Sequence, residues 1–145
     1  MADEVPNTAV LMFIAYRAAE SEVMAVLAAG GADDVTVAQS RLLARLEPRG
    51  MRLTKLAESA GVTKQTAGAL VDQLERSGHL LRTVDPTDGR ARLISLSEKG
   101  LALSRAAAIA AGRVEHRWRE HLGDKAFDQM RDGLVALREI TDPYL

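Results

Sequence analysis

Two short apolar-striped helices that meet at a glycine, a hairpin of two β-compatible runs directly after them, and longer helical stretches on either side predict a mainly α fold. The expected architecture is a winged helix-turn-helix with a two-stranded β-wing, flanked by N- and C-terminal dimerisation helices. At 145 residues and 47% hydrophobic the chain is one domain's worth with enough apolar side chain for a real core. We therefore read residues 1–145 as one domain. Residues 8–46 and 98–145 are its helical support and dimerisation regions, and 51–97 its winged segment.

Pro6 and Asn7 open a long helix, Thr8–Ala29, on which Val10, Leu11, Ile14, Ala18, Val23, Met24 and Leu27 recur near helical spacing. Its apolar content is broad. Leu11, Met12, Phe13, Ile14 and Tyr16 cannot all face one small domain, so part of this helix is expected to pack on another chain, the alternative being an ordinary core helix. Residues 30–34, GGADD, break the chain. A second helix over about 36–46 should present Val37, Leu42, Leu43 and Leu46 to the core before Pro48 and Gly50 close it.

The third helix, Leu53–Ala60, turns Leu56 and Ala57 inward, and Gly61 supplies the left-handed residue that ends it. After the turn Gly61-Val62-Thr63, the Thr63 hydroxyl can take an orphan backbone N–H and cap a fourth helix, whose inner face is Ala67, Leu70, Val71 and Leu74. The outer face carries Gln65, Ala69, Asp72 and Arg76, with Lys64 and Gly68 on one flank and Thr66 on the other. A helix entering a major groove needs short side chains at close approach and amide or cationic groups that reach base edges or phosphates. Lys64, Gln65, Thr66 and Gly68 suit that role, and Thr63 is placed to reach a phosphate. Taken alone, the pattern also fits a plain helical hairpin.

Gly78 ends the fourth helix, and residues 80–84 and 91–96 read as strands joined by the charged loop 85–90, DPTDGR. Arg90 at the tip and Arg92 on the returning strand sit where a narrow minor groove would attract a guanidinium, with Asp88 expected to brace Arg90 by an ion pair. A merely soluble hairpin loop is the alternative, but the position directly after a helix-turn-helix favours the groove. Ser97 then caps a helix over 98–121, with Leu103, Ala107, Ala110, Val114 and Trp118 at spacings of three or four. Gly123 separates a last helix over 124–140, striped by Phe127, Met130, Leu134 and Leu137 and stopped by Pro143.

The run LTKLAESAGVTKQTAGALVDQLERSGHLLR, the DPTDGRA wing with its Asp88-x-Arg90 pair, and the exit LISLSEKG into a helix resemble the multiple-antibiotic-resistance regulator (MarR) family of bacterial transcription factors. The resemblance in length and helix order covers nearly the whole chain. Members more often carry a second basic residue where this chain has Gly89, which places more of the wing's affinity on Arg90 and Arg92. The resemblance implies a homodimer whose terminal helices interlock, and a repressor that reads a pseudopalindrome in double-stranded DNA with half-sites about 10 bp apart. It also implies a small aromatic or phenolic effector bound between the dimer helices and the winged segment. Tyr16, Met51, Trp118 and the histidines could line such a cleft, but none is singled out as a binding residue.

Composition narrows the alternatives. The formal net charge is −1, yet residues 51–97 hold seven basic and five acidic side chains, a local net of +2, so duplex binding should be strongly salt-sensitive. With only 3% aromatic residues, stacking on single strands has little to work with. The absence of cysteine removes disulfides, thiolate metal sites and thiol redox sensing. His116 and His121 are five apart and share no helical face, and the acids around them are interleaved with arginines, so an ion-paired surface is expected rather than a metal site. No phosphate loop, nucleophile elbow or metalloprotease motif occurs, so neither an enzyme nor a cofactor is expected. Asp3, Glu4 and Arg17 interrupt any leader or membrane span and point to the cytoplasm. The remaining alternative is a winged-helix protein-interaction module without DNA specificity.

Overall fold

The structure, a computed structural model, describes residues 4–144; Asp3 of the N-terminal acidic pair lies outside them. Six helices and one hairpin follow in the order α1 (Thr8–Ala29), α2 (Val37–Leu43), α3 (Leu53–Ala60), α4 (Lys64–Arg76), β1 (Leu80–Asp85), β2 (Asp88–Leu96), α5 (Glu98–Leu122) and α6 (Asp124–Thr141). The mainly α, winged helix-turn-helix expectation holds. No helix among the described residues is long and apolar enough to cross a membrane.

Local chemistry sets the helix ends. Asn7 Oδ1 accepts from the Val10 backbone N–H at 3.0 Å and starts α1. Thr36 and Gln39 form a reciprocal capping box on α2, each side chain accepting from the other's backbone N–H at 3.1 Å. That helix is shorter than expected. Beyond Leu43 the bonds tighten to Arg45 N to Leu42 O at 3.1 Å and Leu46 N to Leu43 O at 3.2 Å, as the chain turns out ahead of Pro48. Val37 also differs, being exposed. Gln39 takes the buried position instead, donating from Nε2 to Gln73 Oε1 on α4 at 3.0 Å. Gly61 closes α3 at φ 69°, ψ 31°, the left-handed conformation anticipated for it.

The core lies in the winged segment. Leu42, Met51, Leu56, Ala57, Ala67, Val71, Leu74, Leu80 and Ile94 form one buried cluster, with Leu70, Leu43 and Leu46 packed around it. β1 and β2 pair antiparallel, with Leu80 opposite Leu96 and Val84 opposite Arg92. Met51 adds a further rung by exchanging backbone hydrogen bonds with Ile94 at 3.0 and 2.9 Å, which joins the entry of α3 to the sheet. The strands run further than the sequence suggested, leaving only Pro86 and Thr87 between them.

α5 is held to the wing through His79. The Ser97 N–H donates to the His79 carbonyl at 3.0 Å, and a Cβ on Gly100 would lie 2.0 Å from that carbonyl oxygen, so no larger residue fits there. α5 then packs on α1 and α6. The interleaved charges on α5 and α6 do form an ion-paired surface: Arg119 reaches Asp128 at 2.9 Å and Asp124 at 3.3 Å, and Arg131 reaches Glu115 at 3.7 Å. Two arginines near α2 tie the winged segment to the terminal helices, Arg41 to Glu20 of α1 at 2.6 Å and Arg45 to Asp142 after α6 at 2.8 Å.

Candidate nucleic-acid interface

The N-terminal turn of α4 is built by Thr63. Its Oγ1 accepts from the Thr66 N–H at 3.0 Å and donates to Thr66 Oγ1 at 3.0 Å, so the two threonines fix the start of the helix together. Beside them Lys64 and Gln65 are exposed and carry no side-chain hydrogen bond or ion pair among the described residues. Gly68 sits differently from its neighbours. A Cβ there would meet Leu53 Cδ2 at 3.7 Å, so this flank of α4 faces α3. The outer face of Gln65, Ala69, Asp72 and Arg76 is exposed as the periodicity indicated.

The wing is braced by pairs that the sequence reading did not find. Asp85 Oδ1 accepts from the Thr87 N–H at 2.8 Å and the Thr87 hydroxyl at 2.7 Å, closing the tight turn, while its Oδ2 accepts from Arg52 at 3.0 and 2.8 Å. The Thr87 donors and then the Arg52 guanidinium hold its carboxyl down at about 2. On the other side of the hairpin Arg82 reaches Asp72 at 2.8 Å and Glu75 at 3.3 Å, fastening β1 to α4. The Asp-Pro-Thr sequence carried a turn signal for the first of these contacts. The helix partners of Arg82 are a tertiary event with no local signal.

Asp88 does not brace the Arg90 guanidinium as expected. Its Oδ1 accepts from the Arg90 backbone N–H at 3.1 Å, and its carboxylate lies 3.7 Å from Arg52. The reason is the short turn: Asp88 pairs with Asp85 at the base of the tip, within reach of the cation already bound there. Arg90 and Arg92 are exposed. Arg92 lies opposite Val84 and two residues from Ile94, on the sheet face that Arg82 turns toward α4.

This pairing settles the electrostatics. Four of the five acids in residues 51–97, namely Asp72, Glu75, Asp85 and Asp88, are held by two arginines, Arg52 and Arg82. Lys64, Arg76, Arg90 and Arg92 carry no ion pair among the described residues. The modest net charge of the segment is thereby converted into unopposed cations along the helix and wing, where phosphates within a Debye length would respond to them.

The overall fold is similar to that of solved structures. The transcriptional regulator PA4135 is 25% identical, with 94% of this chain covering 98% of that one at a TM-score of 0.73. Residues 33–91 match the sequence model of the MarR family. Over that segment the chain resembles the MarR family. CouR from Rhodococcus jostii RHA1, 27% identical over 93% of this chain, matches in its p-coumaroyl-CoA complex over 92% of that chain at a TM-score of 0.70. The repressor CouR bound to a 23-mer DNA duplex matches over 99% of that chain at 0.69. The transcriptional activatory protein BadR of Rhodopseudomonas palustris is 28% identical over 93 residues, 64% of this chain and 52% of BadR, so the match spans about half the length of that relative. MarR-family proteins are DNA-binding transcription regulators, and this chain carries their winged fold.

Proposed function

We propose that the protein is a homodimeric, cytoplasmic repressor of MarR type that reads a pseudopalindromic operator in double-stranded DNA and releases it when a small aromatic or phenolic effector binds. The observation that carries this reading is that Lys64 on the first turn of α4 and Arg90 and Arg92 on the wing are exposed cations without an ion pair among the described residues. In this reading Lys64, Gln65, Thr66 and Gly68 lie at the major groove and Thr63 contacts a phosphate while capping. Arg90 and Arg92 take the minor groove or backbone, and Asp88 holds the backbone of Arg90. That the similar repressor CouR is bound to a 23-mer DNA duplex supports duplex DNA as the partner.

Dimerisation is supported by the apolar surface left on the terminal helices. Phe13, Ile14 and Tyr16 are each half exposed or more, as are Val135 and Ile140 of α6. Exposed apolar surface of this kind on both terminal helices is what a two-fold partner covers. An effector is supported by a cavity between α1, α2 and α5 and by the p-coumaroyl-CoA bound to CouR. Leu81 and Val84, half exposed on the wing, favour a second reading as a protein-contact module.

A salt titration separates the two. Duplex affinity should fall steeply as salt rises, and Arg92→Ala should weaken binding across all sequences and flatten the slope of log K against log salt by about 1, the signature of one phosphate contact. Gln65→Ala should instead change base preference. Binding that ignores salt in the wild type would hand the wing to the protein-contact reading.

A further inference from the structure

The cavity between α1, α2 and α5 has a volume of about 370 Å³ and is lined mainly by apolar side chains, among them Val23 and Ala19 on α1 and Leu103, Ala107 and Ala111 on α5. A single cation lines it, Arg41, and that cation is already occupied. Glu20 Oε2 accepts from Arg41 Nε at 2.6 Å and Glu20 Oε1 from Arg41 Nη2 at 2.9 Å. The Tyr16 hydroxyl donates to Oε2 at 2.8 Å, and Arg17 Nη1 donates to Oε1 at 2.7 Å. The Glu20 side chain is only 7% exposed. Arg41 chiefly, with Tyr16 and Arg17, holds its carboxyl down at about 2, so it is an anion at neutral pH.

We propose that Glu20 makes this cavity selective for aromatic ligands with an uncharged head group and excludes the corresponding carboxylates. The inference rests on the reading of the cavity as the effector site. A ligand carboxylate that takes the Arg41 donors now held by Glu20 must break a bidentate pair, which leaves two anions sharing one guanidinium. Two carboxylates that close to each other repel. A neutral ring displaces nothing. It meets apolar surface, and the Ser40 and Ser104 hydroxyls on facing walls carry no hydrogen bond among the described residues, so a ligand hydroxyl or carbonyl has partners.

The test is calorimetric titration of the full chain with 2-naphthol and with 2-naphthoate at neutral pH, where the first is neutral and the second ionised. The expected result is that naphthol binds at least about tenfold tighter. Glu20→Gln, which keeps the side chain's shape and frees the charge of Arg41, should reverse the order. Ala107→Leu, which fills the cavity, should abolish binding of both. Equal or tighter binding of naphthoate by the wild type, or an unchanged ratio in folded Glu20→Gln, overturns the selectivity while leaving the cavity a ligand site. If neither compound binds the wild type, the effector reading fails along with it. Should Glu20→Gln not fold, the wild-type ratio alone decides.

Discussion

From α2 to β2 the chain closes a core of its own, in which Leu42, Leu56, Val71, Leu74, Leu80 and Ile94 are each no more than 1% exposed. The terminal helices behave otherwise. α1 buries Leu27 alone and α6 Phe127 alone, and the rest of their apolar stripes, Leu11 to Ile14 on one and Met130, Leu134 and Leu137 on the other, remains in solvent. α1 is the more apolar in sequence and yet buries less, so composition does not decide burial. The winged segment finds its partner surfaces within the chain, whereas the stripes of the terminal helices do not. The proposed sequence-specific reading and the proposed dimerisation thus fall to different parts of one small fold.

The largest expected effect breaks the self-contained half. Leu74→Ala removes a fully buried side chain and should cost about 2 to 5 kcal/mol, seen as a lower denaturation midpoint. Phe13→Asp, on the exposed stripe of α1, should leave the fold of a single chain intact and halve the mass measured by sedimentation equilibrium. A loss of stability in the separated chain as large as that of Leu74→Ala would erase the distinction between the two regions. Arg52→Ala comes next. It frees Asp85 and Asp88 at the base of the wing, and duplex affinity should fall several-fold although Arg52 itself need not touch DNA, a change that fluorescence anisotropy can follow.

The smallest effect concerns His79, buried at the joint between α4, the wing and α5, with its Nδ1 2.6 Å from the Ser77 hydroxyl. Burial, and then the charge of Lys99, lower its pKa from 6.5, while Asp34 opposes them weakly. The folded state therefore prefers the neutral ring. Above about pH 6.5 this makes no difference to stability; below it the unfolded chain takes up the proton first, so stability declines until the folded ring titrates as well. Denaturation curves across that window should be flatter in pH for His79→Gln than for the wild type.

Legibility in the sequence followed the same division between local and distant causes. The left-handed Gly61, the Thr63 cap, the inner face of α4 and the exposed stripe of α1 were readable because each depends on residues within about one helical turn. The end of α2 was misjudged because the apolar spacing continued while the approach to Pro48 tightened the backbone. Arg52 with Asp85, 33 residues apart, and Arg82 with Asp72, 10 apart, were invisible because tertiary folding alone brings them together. They decide which cations of the candidate interface are left unpaired, so the sequence could nominate residues but not give their electrostatics. Gly100 gave no signal either, since its need for a bare Cα comes from the His79 carbonyl pressed against it.

The central claim is that two copies of this winged segment, joined by the terminal helices, read a symmetric site in duplex DNA. Selection of bound duplexes from a random pool, followed by titration of the enriched sequence against a scrambled one over a salt series, addresses it most directly. The account expects an inverted repeat with half-sites about 10 bp apart, preferred over scrambled duplex and bound with a steep salt dependence. A pool that shows no enrichment, bound weakly and without salt dependence, would contradict it.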